Sequence, residues 1–221
     1  MQVISTNVAV RRPDPSGRHE FSGIDKQPQS FIDVAAPGPH YGDGSGVRGD
    51  IIGDTQHHGG NDKAIYAYAR EELDYWQSEL SRPLASGCFG ENLTTQGVDL
   101  SALLINQRLR IGTAVLEVSV PRQPCSTFAG WLGERGWLKR WTARGDCGTY
   151  LRIISPGRIQ PGDCITMDAP PNHDITMRIA FAAKMGNRTL AQRVIEAGCL
   201  PPHPISSLTL APHHSLLTPK T

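Results

Sequence analysis

The residues Val118-Ser119-Val120-Pro121-Arg122-Gln123-Pro124-Cys125 run from a strand pattern through two prolines to a cysteine. Leu116, Val118 and Val120 alternate with Val115, Glu117 and Ser119, the period-2 pattern of a strand with one buried face. The prolines stiffen the exit and forbid an early helix, which fixes Cys125 just past a strand end. Arg122 lies three residues away. A nearby guanidinium favours the thiolate, the form that acts as nucleophile or metal ligand. The competing reading is a cysteine that merely packs as a small hydrophobe.

Three more polar segments carry groups of the same kind: Ser22-Gly23-Ile24-Asp25-Lys26, His58-Gly59-Gly60-Asn61-Asp62-Lys63 and Gly90-Glu91-Asn92-Leu93-Thr94. Each falls at a loop beside a predicted strand, where a rigid rim carries functional groups. Adjacent glycines free backbone N–H groups for an anion, Lys and Arg bring charge, and Asn offers both a donor and an acceptor. Cysteine adds a soft sulfur. A phosphorylated cofactor bearing a soft metal would need that mixture.

The elements that must position these groups are mostly short strands. Met1–Val10 reads as a first strand, and Arg11–Gly49 as short strands joined by turns, with Asp43-Gly44 at one of them. Asp50–Asp54 reads as a brief apolar strand opening into the polar loop Thr55–Lys63, and Ala64–Tyr68 as another strand. Arg70–Leu80 has Leu73, Trp76 and Leu80 at helical spacing, and Arg82-Pro83 stops that helix. Gly87–Thr95 reads as a loop merging into a strand; further strands are expected at Leu103–Ile105, Arg108–Ile111 and Cys164–Met167, and a hairpin at Thr149–Gln160 turning on Pro156-Gly157. Phe128, Trp131, Leu132, Leu138 and Trp141 give broken helical packing around Gly130, Gly133 and Gly136. Ala169-Pro170-Pro171 reads as a linker to two short helices at Thr176–Lys184 and Leu190–Ala197. Their apolar faces (Ile175, Ile179, Ala182, Ala183; Leu190, Val194, Ile195) are too small to stand alone and must cover something. The prolines from Pro201 onward argue against an ordered last element. Many strands and few helices make a mainly-β barrel the natural fold.

Composition excludes several classes. A formal charge of +1 with mixed signs leaves no footprint for nucleic acid or an anionic membrane. No run is long and apolar enough to span a bilayer, and Met1–Val10 lacks the core of a secretion signal. Five widely spaced cysteines, without a C-x-x-C pair, argue for reduced thiols in a cytoplasmic protein.

Taken in order, several segments of the chain resemble the MOSC domain, the fold found at the C-terminus of molybdenum-cofactor sulfurase, and its stand-alone YiiM-like subgroup above all. They are Asp54 through His58-Gly59-Gly60-x-Asp62-Lys63-Ala64, Tyr75-Trp76, Phe89-Gly90-Glu91-Asn92-Leu93, Arg110-Ile111-Gly112, Pro121-Arg122-x-Pro124-Cys125 and Gly148-x-Tyr150-Leu151-Arg152, with Pro156-Gly157 and Gly162-Asp163 after them. The resemblance implies a MOSC-type β-barrel over residues 1–168 and a small α-helical module over 172–221 with its proline-rich tail. It implies a molybdenum cofactor of the molybdopterin type, with Cys125 as the protein ligand to the metal and the catalytic residue. It places Lys26, His58, Gly59, Gly60, Lys63, Asn92 and Arg122 around that cofactor, the cations and glycine N–H groups facing phosphate or pterin. It also implies an oxidoreductase that reduces N-hydroxylated compounds such as hydroxylamino-purines and amidoximes, with electrons from a separate redox protein. The helical module would dock on the barrel, on that donor or on a second subunit of a homodimer.

Other readings stay open at this point. A carrier for the cofactor or its sulfur would share every cofactor contact with an enzyme. A thiol enzyme built on Cys125 and His58 lacks an orienting third group. A zinc site from His57, His58 and Cys88 or Cys125 has the wrong spacing. Glu91 is expected to brace its loop through backbone hydrogen bonds, since a carboxylate would repel phosphate. Cys147, Cys164 and Cys199 are assigned to packing, and Trp131, Trp137 and Trp141 to core or interface.

Overall fold

A computed structural model describes residues 1–202 and Leu208, so the expectation for the proline-rich tail lies outside the described residues. The chain opens with β1 (Gln2–Ala9), the short pair β2 (Arg12–Pro13) and β3 (Phe21–Ser22), then β4 (Lys26–Gln29) and β5 (Ile32–Val34). A 3₁₀ turn at Asn61–Lys63 leads into β6 (Ile65–Ala69), α1 (Arg70–Leu80) and β7 (Leu93–Gln96). Next come β8 (Arg108–Ile111), β9 (Ala114–Val118), α2 (Ser126–Leu132) and α3 (Trp137–Arg144). β10 (Thr149–Ser155), β11 (Gly157–Ile159) and β12 (Ile165–Met167) complete the strands, and α4 (Met177–Lys184) and α5 (Arg188–Ala197) follow.

Eight strands form one curled sheet in the order β12-β8-β9-β10-β6-β7-β1-β4. Every neighbour pair is antiparallel except β6 and β7, which α1 joins as a crossover. The curl brings the β12 end back to the start of β1: Val3 N–H donates to the Asp163 carbonyl (2.9 Å) and Ile165 N–H to the Met1 carbonyl (3.0 Å). Closing a sheet on itself removes exposed edges. Bulges between Val3 and Ser5 in β1 and between Ile153 and Ser155 in β10 supply local bends. The mainly-β, barrel-like fold with helices is thus observed.

Two expected strands and one expected hairpin have a different structure. Asp50–Asp54 is an irregular loop whose Ile51 and Ile52 line a cavity, which explains an apolar run without a ladder. Leu103–Ile105 makes a single bridge, Leu104 to Thr176, because its partner segment turns into α4 immediately afterwards. Thr149–Gln160 is not a hairpin. Only Pro156 separates β10 from β11, fewer residues than a hairpin turn needs, and β11 pairs with β5 instead. Cys164 is exposed rather than packed inside a strand.

Helix α4 is seated on the barrel. Ile105 N–H donates to the Ile175 carbonyl (3.0 Å), Met177 N–H to Leu103 (2.8 Å), and the Thr176 hydroxyl caps the helix through Ile179 N–H. Ile175 and Ala183 are buried as expected, but Met177, Ala180 and Phe181 complete the buried face while Ile179 and Ala182 are only half-buried. The Phe181 ring meets Trp141 edge-on at 5.7 Å, extending an aromatic cluster of Phe89, Phe128, Trp137 and Trp76. Phe181→Ala should therefore lower unfolding free energy by about 3–5 kcal/mol, as for other buried aromatic truncations, read from urea denaturation.

Candidate functional site

Beyond Val118 the β9 ladder continues for two residues: Ser119 N–H donates to the Tyr150 carbonyl (2.9 Å) and Tyr150 N–H to Val120 (3.1 Å). Pro121 ends it, and the chain crosses to Cys125, whose extended backbone forms the N-cap position of α2. Cys125 is half-buried and lines two adjoining spaces, an inner cavity of about 120 Å³ and an outer cleft of about 740 Å³. His58, Lys63, Asp54 and Tyr150 line both spaces beside it.

The inner cavity also gathers Lys26, Gly59, Asn92 and Arg122, so seven of the eight sequence-assigned residues meet there. Gly60 does not line it. With φ of 72°, Gly60 instead allows a close approach: a Cβ there would sit 2.1 Å from the His40 carbonyl oxygen. Its N–H is already given to the Gly44 carbonyl at 2.9 Å, which takes it away from any anion.

Several of the assigned side chains are already committed to protein partners. Lys26 Nζ donates to both oxygens of Asp50 at 2.6 Å, and the pair is buried, with side-chain exposures of 8 % and 4 %. Asp50 also accepts from Ala9 N–H, the Ser45 hydroxyl and Asn92 Nδ2. Burial pushes the Asp50 carboxyl up, but the Lys26 charge and these donors outweigh it and hold it below the usual carboxylate range. Asn92 accepts Tyr66 N–H at Oδ1 and donates to the Asn7 carbonyl, so it joins the strands beneath the cavity. Arg122 is buried, donates to the Phe89 carbonyl, and lies 4.2 Å from the Phe128 centroid and 4.7 Å from that of Tyr66. This guanidinium is a permanent positive charge in an aromatic box, and because it lines the cavity it gives the floor a positive potential.

The loop side of the cavity is ionisable. Lys63 Nζ donates to the His57 carbonyl at 2.6 Å and lies 4.6 Å from the Tyr41 ring centroid. Burial and the charge of Lys184 on α4 bring its ammonium down to about 8. His58 Nδ1 is 3.3 Å from the Tyr150 hydroxyl. Burial, then the charges of Lys63 and Arg122, keep His58 well below the ordinary imidazole value, so it is neutral near pH 7. Asp54, missed as a site residue by sequence reasoning, gathers three histidines: His57 at 3.0 Å, His19 at 3.7 Å and His58 at 4.0 Å. Burial raises the Asp54 carboxyl, but the His57 hydrogen bond and the nearby imidazoles outweigh it and leave it lowered.

Sequence reasoning also missed Asp50, His19, Tyr66, Tyr150 and Thr127. Asp14 shows how His19 and Thr127 meet. It accepts the Thr127 hydroxyl and the N–H groups of Arg18 and His19, fastening the loop before β3 to the first turn of α2. That contact joins positions far apart in the chain, so no local pattern announces it. Glu91 is where expected, accepting from Gly87 N–H (2.6 Å), Phe89 N–H (3.0 Å) and the Thr94 hydroxyl (3.0 Å). Among the described residues no group of three or more His, Cys, Asp or Glu is arranged to hold a metal ion by itself.

Comparison with known proteins adds the following. The MOSC domain family matches residues 54–166. YflK of Bacillus subtilis (strain 168) is 40 % identical over 155 residues, covering 69 % of this chain and 70 % of YflK. YiiM of Escherichia coli (strain K12) is 31 % identical over 117 residues, 52 % of each chain. A protein of Gibberella moniliformis (strain M3125 / FGSC 7600) named Reductase is 31 % identical over 135 residues, which are 59 % of this chain but 24 % of that one. The crystal structure of YiiM from Geobacillus stearothermophilus superposes with a TM-score of 0.72 at 25 % identity, over 94 % of this chain and 97 % of that chain.

Asp50→Asn would leave the buried Lys26 ammonium without its counter-charge and should cost about 3–5 kcal/mol of stability by chemical denaturation. The sign with pH follows from the lowered carboxyl. Wild-type stabilisation by Asp50 should be complete above the unfolded value of about 3.9 and fade as pH falls through the lower folded value. The variant should lack that acid limb.

Proposed function

The chain belongs to the MOSC domain family, and from that membership we propose that it binds a molybdenum cofactor and reduces N-hydroxylated compounds, with Cys125 as the protein ligand to the metal. The observation that carries the reading is the cavity itself: a half-buried cysteine thiol shares it with a buried guanidinium and a loop lysine. A soft donor is what molybdenum takes from protein, and positive potential suits a phosphorylated, anionic cofactor. The inner cavity and outer cleft together offer room of the size that cofactor sites use. The donor set therefore fits the group.

In this reading Cys125 holds the metal, Gly59 lets the backbone approach closely, and Lys63 faces the anionic part. Arg122 and the Lys26–Asp50 pair act from beneath: Arg122 through its field, and the pair by fixing the wall that Asn92 completes. The cofactor supplies two-electron chemistry when bound, with electrons from a separate redox protein. The protein's own part is to hold the reactants, exclude water behind the aromatic cluster, and move protons to the reacting oxygen. Leu138 and Lys184 line the outer cleft beside Cys125, so α3 and α4 help shape where the substrate would sit. The name of the Gibberella moniliformis relative agrees with a reductase. A cytoplasmic setting, where such donors and reduced thiols occur, belongs to the same proposal.

Cys125→Ser, expressed in a host that makes the cofactor, should stay folded by circular dichroism yet carry little molybdenum by elemental analysis, because a hydroxyl is a hard, weakly acidic ligand. N-hydroxylated substrate with an artificial electron donor should turn over on the wild type and not on this variant. A variant with wild-type metal content and turnover would remove Cys125 from the mechanism.

A further inference from the structure

Reductive cleavage of an N–O bond consumes protons as well as electrons. Written out, R₂N–OH, two electrons and two protons give R₂N–H and water; the N–O bond breaks, and one N–H and one O–H bond form. The electrons come from a reduced redox protein through the cofactor. The protons must reach a cavity floored by packed aromatic rings. Four side chains run along its wall from the outer cleft: His57 at the cleft, then Asp54, His58 and Tyr150, which line both spaces. His57 stands in solvent with 64 % of its side chain exposed and holds Asp54 through Nδ1 at 3.0 Å. Asp54, 20 % exposed, faces His58 Nε2 at 4.0 Å, and His58 Nδ1 meets the Tyr150 hydroxyl at 3.3 Å. Tyr150 is buried at 8 % and lines the cavity together with Cys125.

Resting on the reductase reading, we propose that His57, Asp54, His58 and Tyr150 form a proton relay from solvent to the reacting oxygen, with Tyr150 as the final donor. A proton enters at His57, passes to Asp54 and then to His58 Nε2, while the Nδ1 proton of His58 moves to Tyr150 as the Tyr150 proton leaves. One proton enters for each that departs; a pass leaves His58 protonated on Nε2, so the imidazole must return to its Nδ1–H tautomer by proton exchange before the second pass completes the reaction. The 4.0 Å step between Asp54 and His58 is the gap that must shorten for transfer. A neutral imidazole suits the middle position because it presents one nitrogen that donates and one that accepts. Lys63 and Arg122 flank His58, and His19 also faces Asp54. The Lys63 and Arg122 charges favour a neutral His58, so the relay moves protons through without storing one on the imidazole.

The test compares Tyr150→Phe, His57→Gln and wild type, each loaded with cofactor and checked for molybdenum content. Tyr150→Phe should keep its molybdenum and KM and lose about 10²-fold in kcat, at the low end for general acid catalysis. His57→Gln should lose less, show a larger solvent deuterium isotope effect, and be restored by imidazole buffer, as a solvent-side entry residue would be. Apart from activity, ¹⁵N-histidine NMR of the unloaded protein should show the His58 signals shift in Tyr150→Phe. Wild-type kcat and isotope effect in Tyr150→Phe, or His58 signals indifferent to that change, would overturn the relay. A wild type that binds molybdenum but reduces no N-hydroxylated compound would instead overturn the reductase reading, so the two failures are distinguishable.

Discussion

Asp50 is an anion placed where water scarcely reaches, and the geometry around the cavity depends on how it is satisfied. Its two oxygens take donors from β1 (Ala9), β4 (Lys26), the loop before Asp50 (Ser45) and the approach to β7 (Asn92). Charge burial is unfavourable without such compensation, so these segments cannot drift apart independently. An apolar cluster of the same volume would pack without telling each strand where to stop. Here the ion pair acts as a locator: Asn92, fixed by Asp50 and Tyr66 N–H, sets the register where β1, β6 and β7 converge under the cavity.

The sequence was most readable where one element carries its own pattern. Helix α1 matches its expected bounds because Leu73 and Trp76 repeat at helical spacing and Pro83 ends the run. The loop bearing Cys125 was legible for the same reason, its prolines being local constraints. Asp50–Asp54 was misread because apolar side chains facing a cavity resemble those facing a core. The supposed hairpin failed because β11 has a better partner in β5, which only the tertiary fold supplies. Lys26 and Asn92 line the cavity, but their commitment to Asp50 cannot be read from spacing, since the three are brought together from distant parts of the chain. The histidine cluster on Asp54 escaped for a related reason: His57 and His58 are sequence neighbours of Asp54, whereas His19 arrives on a separate loop.

Arg122 shows how a charge is kept beside a cavity with almost no contact with water. Enclosed by Tyr66, Phe128 and, at 6.0 Å, Trp141, it trades hydration for ring faces and a backbone carbonyl. A lysine there would lose the planar contact as well as the fixed hydrogen-bonding fork. The aromatic cluster therefore has two roles that cannot be separated by mutation: it is the core of the fold on that side, and it is the medium through which the guanidinium acts. Helix α4 enters the same arrangement through Phe181 against Trp141, which couples the packing of the helical pair to the floor of the cavity.

The way the sheet closes has a consequence for how the protein is made. β1 pairs with β7, the side chains of Gln2 and Gln96 meeting across 94 positions of sequence, and its first residues bond again to the segment around Asp163. Contacts of such separation incur their loop-closure entropy before they return any stabilisation, and they slow folding. During synthesis β1 must wait, with Val3 uncovered, until β7 and then the β12 segment have left the ribosome. In that interval β1 is paired on its β4 side alone and its other edge is open to wrong partners, so chaperone supply and translation speed, rather than final stability, should govern how much active protein a cell obtains.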